Sequence, residues 1–210
     1  MAVGNTRSHG ATVLLGVLAG LLLVAYFGHQ SSALHYDREA ILDGEIYRLL
    51  TFHFVHISNG HLLINVFTFV ILWAMYGKVA RAGEWIAVTF GCGAAIGVGL
   101  LLLNPQVAWS AGLSGLLYAL FAYGAVKSVL SREYLSSAVV VFLVCKIVME
   151  QAVGPNGAME QFVGGAILVD AHMYGVASGL VLGLAFGWSA GTGDVSPLMS
   201  TDPVPDGNQS

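Results

Sequence analysis

Ser114, in the stretch Gly112-Leu113-Ser114-Gly115, carries a hydroxyl, and His172, three residues ahead of Gly175, carries an imidazole. Brought within hydrogen-bond reach and shielded from water, such a pair can perform nucleophilic catalysis. The imidazole takes the hydroxyl proton and the serine oxygen attacks a carbonyl. The attack creates an oxyanion, which needs donors. His61 and Asn65 stand four residues apart, so a helix places them on one face a turn from each other, and both can donate. With the backbone N–H of Ser114 they are donors of the kind an oxyanion hole requires, each worth about 3 to 4 kcal/mol where measured. A second reading makes His61 and Asn65 hydrogen-bonding glue between helices. Asp170 falls two residues before His172, on roughly the opposite side of a helix, so the spacing favours a dyad over a triad. Position 116 is Leu and no strand precedes Ser114, so the segment departs from the nucleophile elbow of soluble hydrolases.

The elements that must position these groups belong to lipid. The 210 residues are 56% hydrophobic and 10% charged, with a mean hydropathy of +0.75, against about 25% charge in an average soluble domain. Eight Lys/Arg and twelve Asp/Glu cannot cover the surface of a water-soluble core of this size. The net charge of −4, without a basic run or a basic-aromatic patch, sets nucleic acid aside as a partner. Cys92 and Cys145 both lie in long apolar stretches, so neither a disulfide framework nor a metal knuckle is readable. His53, His56, His61 and His172 lack the spacing of a His-Glu-x-x-His metalloprotease, and no metal or cofactor is expected.

Spanning hydrocarbon takes about 20 mostly apolar residues per helix. The chain offers six such stretches, near 11–28, 61–76, 84–103, 113–130, 135–153 and 166–188. They are too rich in Leu, Ala and Gly, with no alternation of faces, for barrel strands, so the expected fold is an all-α six-helix membrane bundle. The first stretch also admits a signal-peptide reading, with Arg7 before it and Ser31-Ser32-Ala33 after it. An inside N-terminus puts Arg7, Lys78, Arg81, Lys127 and Arg132 on the cytoplasmic side and only Arg38 and Arg48 outside, so both termini are assigned to the cytoplasm. A membrane-embedded domain over 1–190 is then followed by a polar, Pro/Gly-punctuated tail over 191–210, expected to be disordered. The segment 29–60 mixes charged and apolar residues and reads as a structured loop lying in the interface. Between the fifth and sixth spans, Gly154-Pro155-Asn156-Gly157 and Gly164-Gly165 flank Met159 and Phe162, which fits a mobile apolar flap and a plain connector equally well.

Polar side chains inside a span are costly, and each is a functional candidate. In this topology the second, fourth and sixth helices all run inward, so His61 with Asn65, Ser114 and His172 share one depth near the outer face. Gly175, Gly179, Gly183 and Gly187 recur every fourth residue and form a groove that admits another backbone. The fourth helix, small at Gly112, Gly115, Ala119 and Ala122, is the best partner, and that pairing would carry His172 to Ser114.

At these residues the chain resembles rhomboid intramembrane serine proteases. The features run in order: Tyr47-Arg48 in the first loop, His56, His61-x-x-x-Asn65, Gly112-Leu113-Ser114-Gly115-Leu116-Leu117-Tyr118-Ala119-Leu120, then Ala171-His172-x-x-Gly175-x-x-x-Gly179. The resemblance implies a six-helix core, Ser114 as nucleophile, His172 as general base, and His61, Asn65 and the Ser114 amide as oxyanion hole. It further implies that Tyr118 packs beside His172, that the first loop is embedded in the interface, and that a flap covers the site. Tyr47-Arg48 stands where the family usually has Trp-Arg, keeping an aromatic anchor. The compact chain, the run from Tyr47 to His56, and Lys146 with Glu150-Gln151 are similar to the rhombosortase branch. That branch is associated with removal of C-terminal Gly-Gly-type anchors from exported bacterial proteins, so the implied setting is a bacterial inner membrane and the implied partners are transmembrane protein substrates in a lipid bilayer. Lys146 and Glu150 also form an i,i+4 pair of opposite sign, readable as a structural ion pair or as a substrate-recognition element. Two other functions compete. A catalytically silent binder of membrane proteins would not need both Ser114 and His172. A transporter or proton relay through His61, His172 and Lys146 would need polar residues on the inner half as well.

Overall fold

The computed structural model describes residues 32–192; the expected first span over 11–28 lies outside them, as do residues 193–210 of the expected tail. The chain opens with a 3-10 turn (Ser32–Leu34), strand β1 (Tyr36–Asp37), and short helices α1 (Arg38–Leu42) and α2 (Arg48–Thr51). Five longer helices follow. They are α3 (Asn59–Tyr76), α4 (Ala82–Leu103), α5 (Ser114–Leu130), α6 (Ser136–Val153) and, after the short α7 (Gly157–Val163), α8 (Val169–Thr192). Strand β2 (Trp109–Ser110) precedes α5. Among the described residues, α3, α4, α6 and α8 are long and apolar enough to cross a membrane, whereas α5 has 17 residues. The sequence prediction of six spans therefore corresponds here to four crossing-length helices and one shorter apolar helix.

Helix α5 lies largely inside the protein. Leu116, Leu117, Ala119, Leu120, Ala122, Tyr123 and Ala125 are all buried, on most of its circumference. Its closest partner is α8, and the glycine stripe is the contact. A Cβ on Gly175 would collide with the carbonyl oxygen of Gly115, and one on Gly179 with that of Ala119. Further along, Gly183 faces Val126 and Gly187 faces Leu130. With no hydrophobic drive between helices in lipid, such backbone-to-backbone packing carries much of the association. Helices α3, α4 and α6 flank this central pair. Helix α6 is the most exposed of the three: its only buried residues are Leu143 and Ile147, while Val141, Phe142, Val148 and Met149 are exposed. Leu63, Phe67, Ile86, Phe90 and Leu102 add to an apolar outer surface far larger than soluble monomers tolerate. This surface fits hydrocarbon.

The chain is not wholly helical. Tyr36 pairs with Ser110 and Asp37 with Trp109 in an antiparallel ladder, which ties the first loop to the segment entering α5. Asp37 also caps α1, its Oδ1 accepting from Ala40 N–H at 3.1 Å. Arg38 Nη1 donates to the Leu101 carbonyl at 2.8 Å. Arg48 is 8% exposed, donating through Nε to Glu45 at 2.6 Å and through Nη1 to the His35 carbonyl at 3.0 Å. Behind it, a Cβ on Gly97 would strike the backbone of Leu49, so α2 lies directly on α4.

His53, in the turn after α2, is 1% exposed and donates through Nε2 to the Gly93 carbonyl of α4 at 3.1 Å. Burial pushes its pKa down to about 4. The unfolded chain therefore takes up a proton near the usual 6.5 while the folded one stays neutral. Stability is lost as pH falls from about 6.5 to about 4, by a few kcal/mol at the limit. The expected result is a melting temperature in detergent that falls across this window in the wild type and falls less in His53→Gln.

The segment between α6 and α8 reads from sequence as flexible, and the structure folds it into α7. Asn156 caps that helix, its Oδ1 accepting from the N–H groups of Ala158 at 3.0 Å and Met159 at 3.2 Å. Gly164, at φ 80° and ψ 24°, terminates it in the left-handed region. Ser58 Oγ, at the start of α3, donates to the Val163 carbonyl at 2.6 Å and holds the segment down.

Candidate active site

The cavity of the bundle measures about 860 Å³ and is lined by Ser114, His172, His61, Asn65, Tyr118 and Gly112, among others. Three helices and one turn supply them: His61 and Asn65 on α3, Ser114 and Tyr118 on α5, His172 on α8, and Gly112 in the turn that enters α5. Ser58 Oγ accepts from the His61 N–H at 3.0 Å and so begins α3 just before His61. His61 and Asn65 follow on its inner face, 8% and 3% exposed. Within the described residues, His61 Nδ1 and Asn65 Nδ2 are buried polar atoms without a protein partner. Such orphans are rare in a folded interior. Asn65 Nδ2 is a donor, and His61 Nδ1 is one in the tautomer that carries its proton there; both stand beside an apolar-walled space.

Ser114 is the first residue of α5, where the N–H groups of the opening turn have no partner within the helix and the helix dipole presents its positive end. Gly112, two residues earlier, has φ +140°, and a Cβ there would run into the His61 ring. Its N–H donates to the Phe52 carbonyl at 2.9 Å. Glycine at 112 thus lets the chain turn into α5 while His61 sits against it. Gly115 is as tightly constrained, since a Cβ would come within 2.9 Å of the Ala171 carbonyl.

The close approach of α5 and α8 brings His172 Nε2 to 3.0 Å from Ser114 Oγ. His172 is 5% exposed, and Tyr118 stacks on its ring with centroids 4.4 Å apart and planes 20° from parallel. Its other nitrogen, Nδ1, lies 2.9 Å from Glu150 Oε2 on α6. Glu150 Oε1 in turn accepts from Lys146 Nζ at 2.6 Å, and Nζ stands 5.9 Å from the centre of the Tyr118 ring.

Ser114, His172, His61, Asn65, Tyr118, Gly112 and Gly115 thus gather at one end of the bundle. His56 stands behind His61, its ring edge-on at 5.2 Å. Gly175 and Gly179 act one step back, at the α5–α8 contact. Arg48 does not line the cavity and pins the first loop through Glu45 and the His35 carbonyl. Asp170 turns away from His172: it accepts from Asn104 Nδ2 at 2.7 Å and Gln151 Nε2 at 3.3 Å, while Tyr174 OH donates to Asn104 Oδ1 at 2.5 Å. That chain of bonds ties α4, α6 and α8 together beside the site. Sequence reasoning missed Glu150 as a neighbour of His172. The only sequence signal was a carboxylate near the end of an apolar span, and its i,i+4 lysine accounted for it.

At the opposite end, α3 closes toward Lys78 and α5 toward Lys127. There Lys78, Arg81 and Lys127 line a second cavity with Glu84, and Glu84 is bonded by Lys127 and by the Tyr123 hydroxyl. Among the described residues no group of three or more His, Cys, Asp or Glu side chains is arranged to hold a metal ion.

These features define an integral membrane protein: an apolar helical bundle with an apolar-walled cavity at one end, into which a few polar side chains are set. The family model of the Rhomboid domain matches residues 43–189, more than half of the chain and all of the cavity side chains described above, so the chain belongs to the rhomboid family. Members of this family are generally serine proteases that act on membrane proteins within the bilayer, although some are inactive. No curated protein matches the chain.

Proposed function

We propose that this rhomboid-family member is an active intramembrane serine protease. In this reading Ser114 is the nucleophile and His172 the general base, and His61, Asn65 and the Ser114 N–H hold the oxyanion. The observation that carries it is the 3.0 Å approach of His172 Nε2 to Ser114 Oγ in a cavity that also presents two unpartnered donors. Attack of Oγ on the scissile carbonyl transfers the hydroxyl proton to Nε2. The imidazolium passes that proton to the leaving amine as the C–N bond breaks, and water then hydrolyses the acyl-serine. The substrates are transmembrane segments unwound near small residues, because a helical backbone keeps its carbonyls engaged.

The finer reading is a rhombosortase-type activity on C-terminal Gly-Gly-containing anchors of exported proteins in a bacterial inner membrane, with the site near the outer face and both termini cytoplasmic. Glycines unwind readily, and the positive residues Lys78, Arg81 and Lys127 gather at the end away from Ser114, which supports this orientation. The test is cleavage in proteoliposomes of a reporter anchored by a Gly-Gly-plus-transmembrane tail, compared with the same reporter carrying Leu-Leu in place of Gly-Gly. Selective cutting of the first supports the finer reading. Equal cutting of both leaves a general rhomboid protease, and no cutting of either or of other membrane reporters overturns the proposal.

Asn65→Ala and His61→Ala are each expected to lower kcat by about 10²- to 10³-fold, with KM much less affected, because the lost hydrogen bond exists mainly in the transition state. Steady-state cleavage kinetics check this. A fall in stability without a kcat effect would return both side chains to the role of helix glue.

A further inference from the structure

Glu150 is half-buried, with a side chain 13% exposed, and both of its oxygens are engaged: Oε1 with Lys146 Nζ at 2.6 Å and Oε2 with His172 Nδ1 at 2.9 Å. An ionised carboxylate only accepts and an ammonium only donates. Lys146 therefore donates to Oε1, and the hydrogen on the second bond must belong to Nδ1. A neutral imidazole has one N–H, so Nε2 is left with its lone pair toward Ser114 Oγ. We propose that Glu150 is a positioning residue that holds His172 in the tautomer able to accept the serine proton, completing a Ser114–His172–Glu150 triad. This inference rests on the protease reading above.

The surroundings fit that role. Tyr118 covers one face of the imidazole at 4.4 Å, and Glu150 holds its Nδ1 edge, so ring rotation is restrained in two directions. Asp170, the other carboxylate near in sequence, is occupied by Asn104 and Gln151. In the reaction the proton moves from Oγ to Nε2 as the Oγ–C bond forms, and leaves on the amine as the C–N bond breaks. Glu150 stays ionised throughout, and its charge stabilises the transient imidazolium. Lys146 keeps the carboxylate's other oxygen occupied and aims Oε2 at the ring.

The test uses the full-length protein in detergent and measures the rate at which a fluorophosphonate acylates Ser114. In Glu150→Gln, Lys146 claims the single amide oxygen, and the NH2 group faces Nδ1. That forces the hydrogen onto Nε2, where it opposes the serine hydroxyl. Labelling is expected to slow by on the order of 10³- to 10⁴-fold. Adding Lys146→Met frees the amide oxygen to accept from Nδ1–H, so the double variant K146M/E150Q is expected to label at least about tenfold faster than E150Q. K146M/E150M, which has no acceptor, is expected to remain as slow as E150Q. Neither double variant retains the Lys146 ammonium, so their comparison holds even where E150Q folds poorly. A merely structural Glu150 predicts the reverse order, with each further change lowering activity. Wild-type labelling by E150Q, or equal rates in the two double variants, overturns the triad while Ser114-dependent labelling leaves the protease reading standing. A folded wild type that resists labelling at Ser114 overturns both.

Discussion

Ser114→Ala is expected to abolish fluorophosphonate labelling and to reduce cleavage of a membrane-anchored substrate to background, a loss on the order of 10⁴-fold or more. His172→Asn is expected to fall nearly as far. The two side chains meet at 3.0 Å and act as one unit: without the base the hydroxyl remains a weak nucleophile, and without the hydroxyl the base has no proton to take. The double variant should consequently be no worse than Ser114→Ala alone, since effects within one catalytic unit do not add. Melting temperatures in detergent should stay close to wild type for Ser114→Ala, because the change only removes the oxygen of a half-buried side chain. Cleavage surviving in Ser114→Ala would remove Ser114 from the mechanism and, with it, the reading of the cavity as a serine protease site.

The second large effect is expected far from any reacting atom. Gly175→Val places two methyl groups where the Gly115 carbonyl oxygen already blocks even a Cβ. Backbone cannot rotate aside as a side chain can. Overpacking typically costs 1–3 kcal/mol, and here at least about 3 kcal/mol is expected, seen as a clear drop in melting temperature. Activity should vanish even at temperatures where the variant stays folded. His172 sits one turn before Gly175 on the same helix, and pushing α8 away from α5 by an ångström stretches the 3.0 Å contact to Ser114 past hydrogen-bond range. Gly187→Ala is the contrasting control. Its Cβ would meet only the end of the Leu130 side chain, which can swing away, so both melting temperature and activity should change little. Equal effects at the two positions would mean that the stripe is not a register device for the site.

Local periodicity carried much of the architecture. The apolar stretches predicted at 61–76, 84–103, 113–130 and 135–153 correspond within two residues at each end to α3, α4, α5 and α6, because hydrophobic length and polar punctuation are properties of the chain alone. The last span differs more: predicted from 166, it begins at Val169 and runs to Thr192, since Ala166 to Leu168 are drawn along the cavity wall. The i,i+4 spacing of His61 and Asn65 and the four-residue glycine repeat likewise specify shared helix faces without reference to any partner. Alternation and periodicity say nothing about two-residue strands, however, and the β1–β2 ladder was invisible to them. The fold of 157–163 into α7 was equally hidden, as its cap at Asn156 and its stop at Gly164 look like ordinary loop residues.

What the amino-acid order settled was therefore everything that depends on neighbours within about four residues: which segments prefer lipid, which side chains share a face, and which helix surfaces are narrow enough to admit another backbone. Lys146 and Glu150 were paired on that basis alone. Only the packed bundle decided that Glu150 has a second partner 22 residues on, at His172, that Asp170 instead faces Asn104 across 66 residues, and that His53 is sealed against Gly93. The physical reason is rotational. A helix's sequence sets the angles between its own side chains, but its rotation about its axis and its tilt against a neighbour are set by which surfaces interlock. The glycine contact sets α8 against α5 and so His172 against Ser114, and the packing of α6 on both helices brings the Glu150 carboxylate to the imidazole.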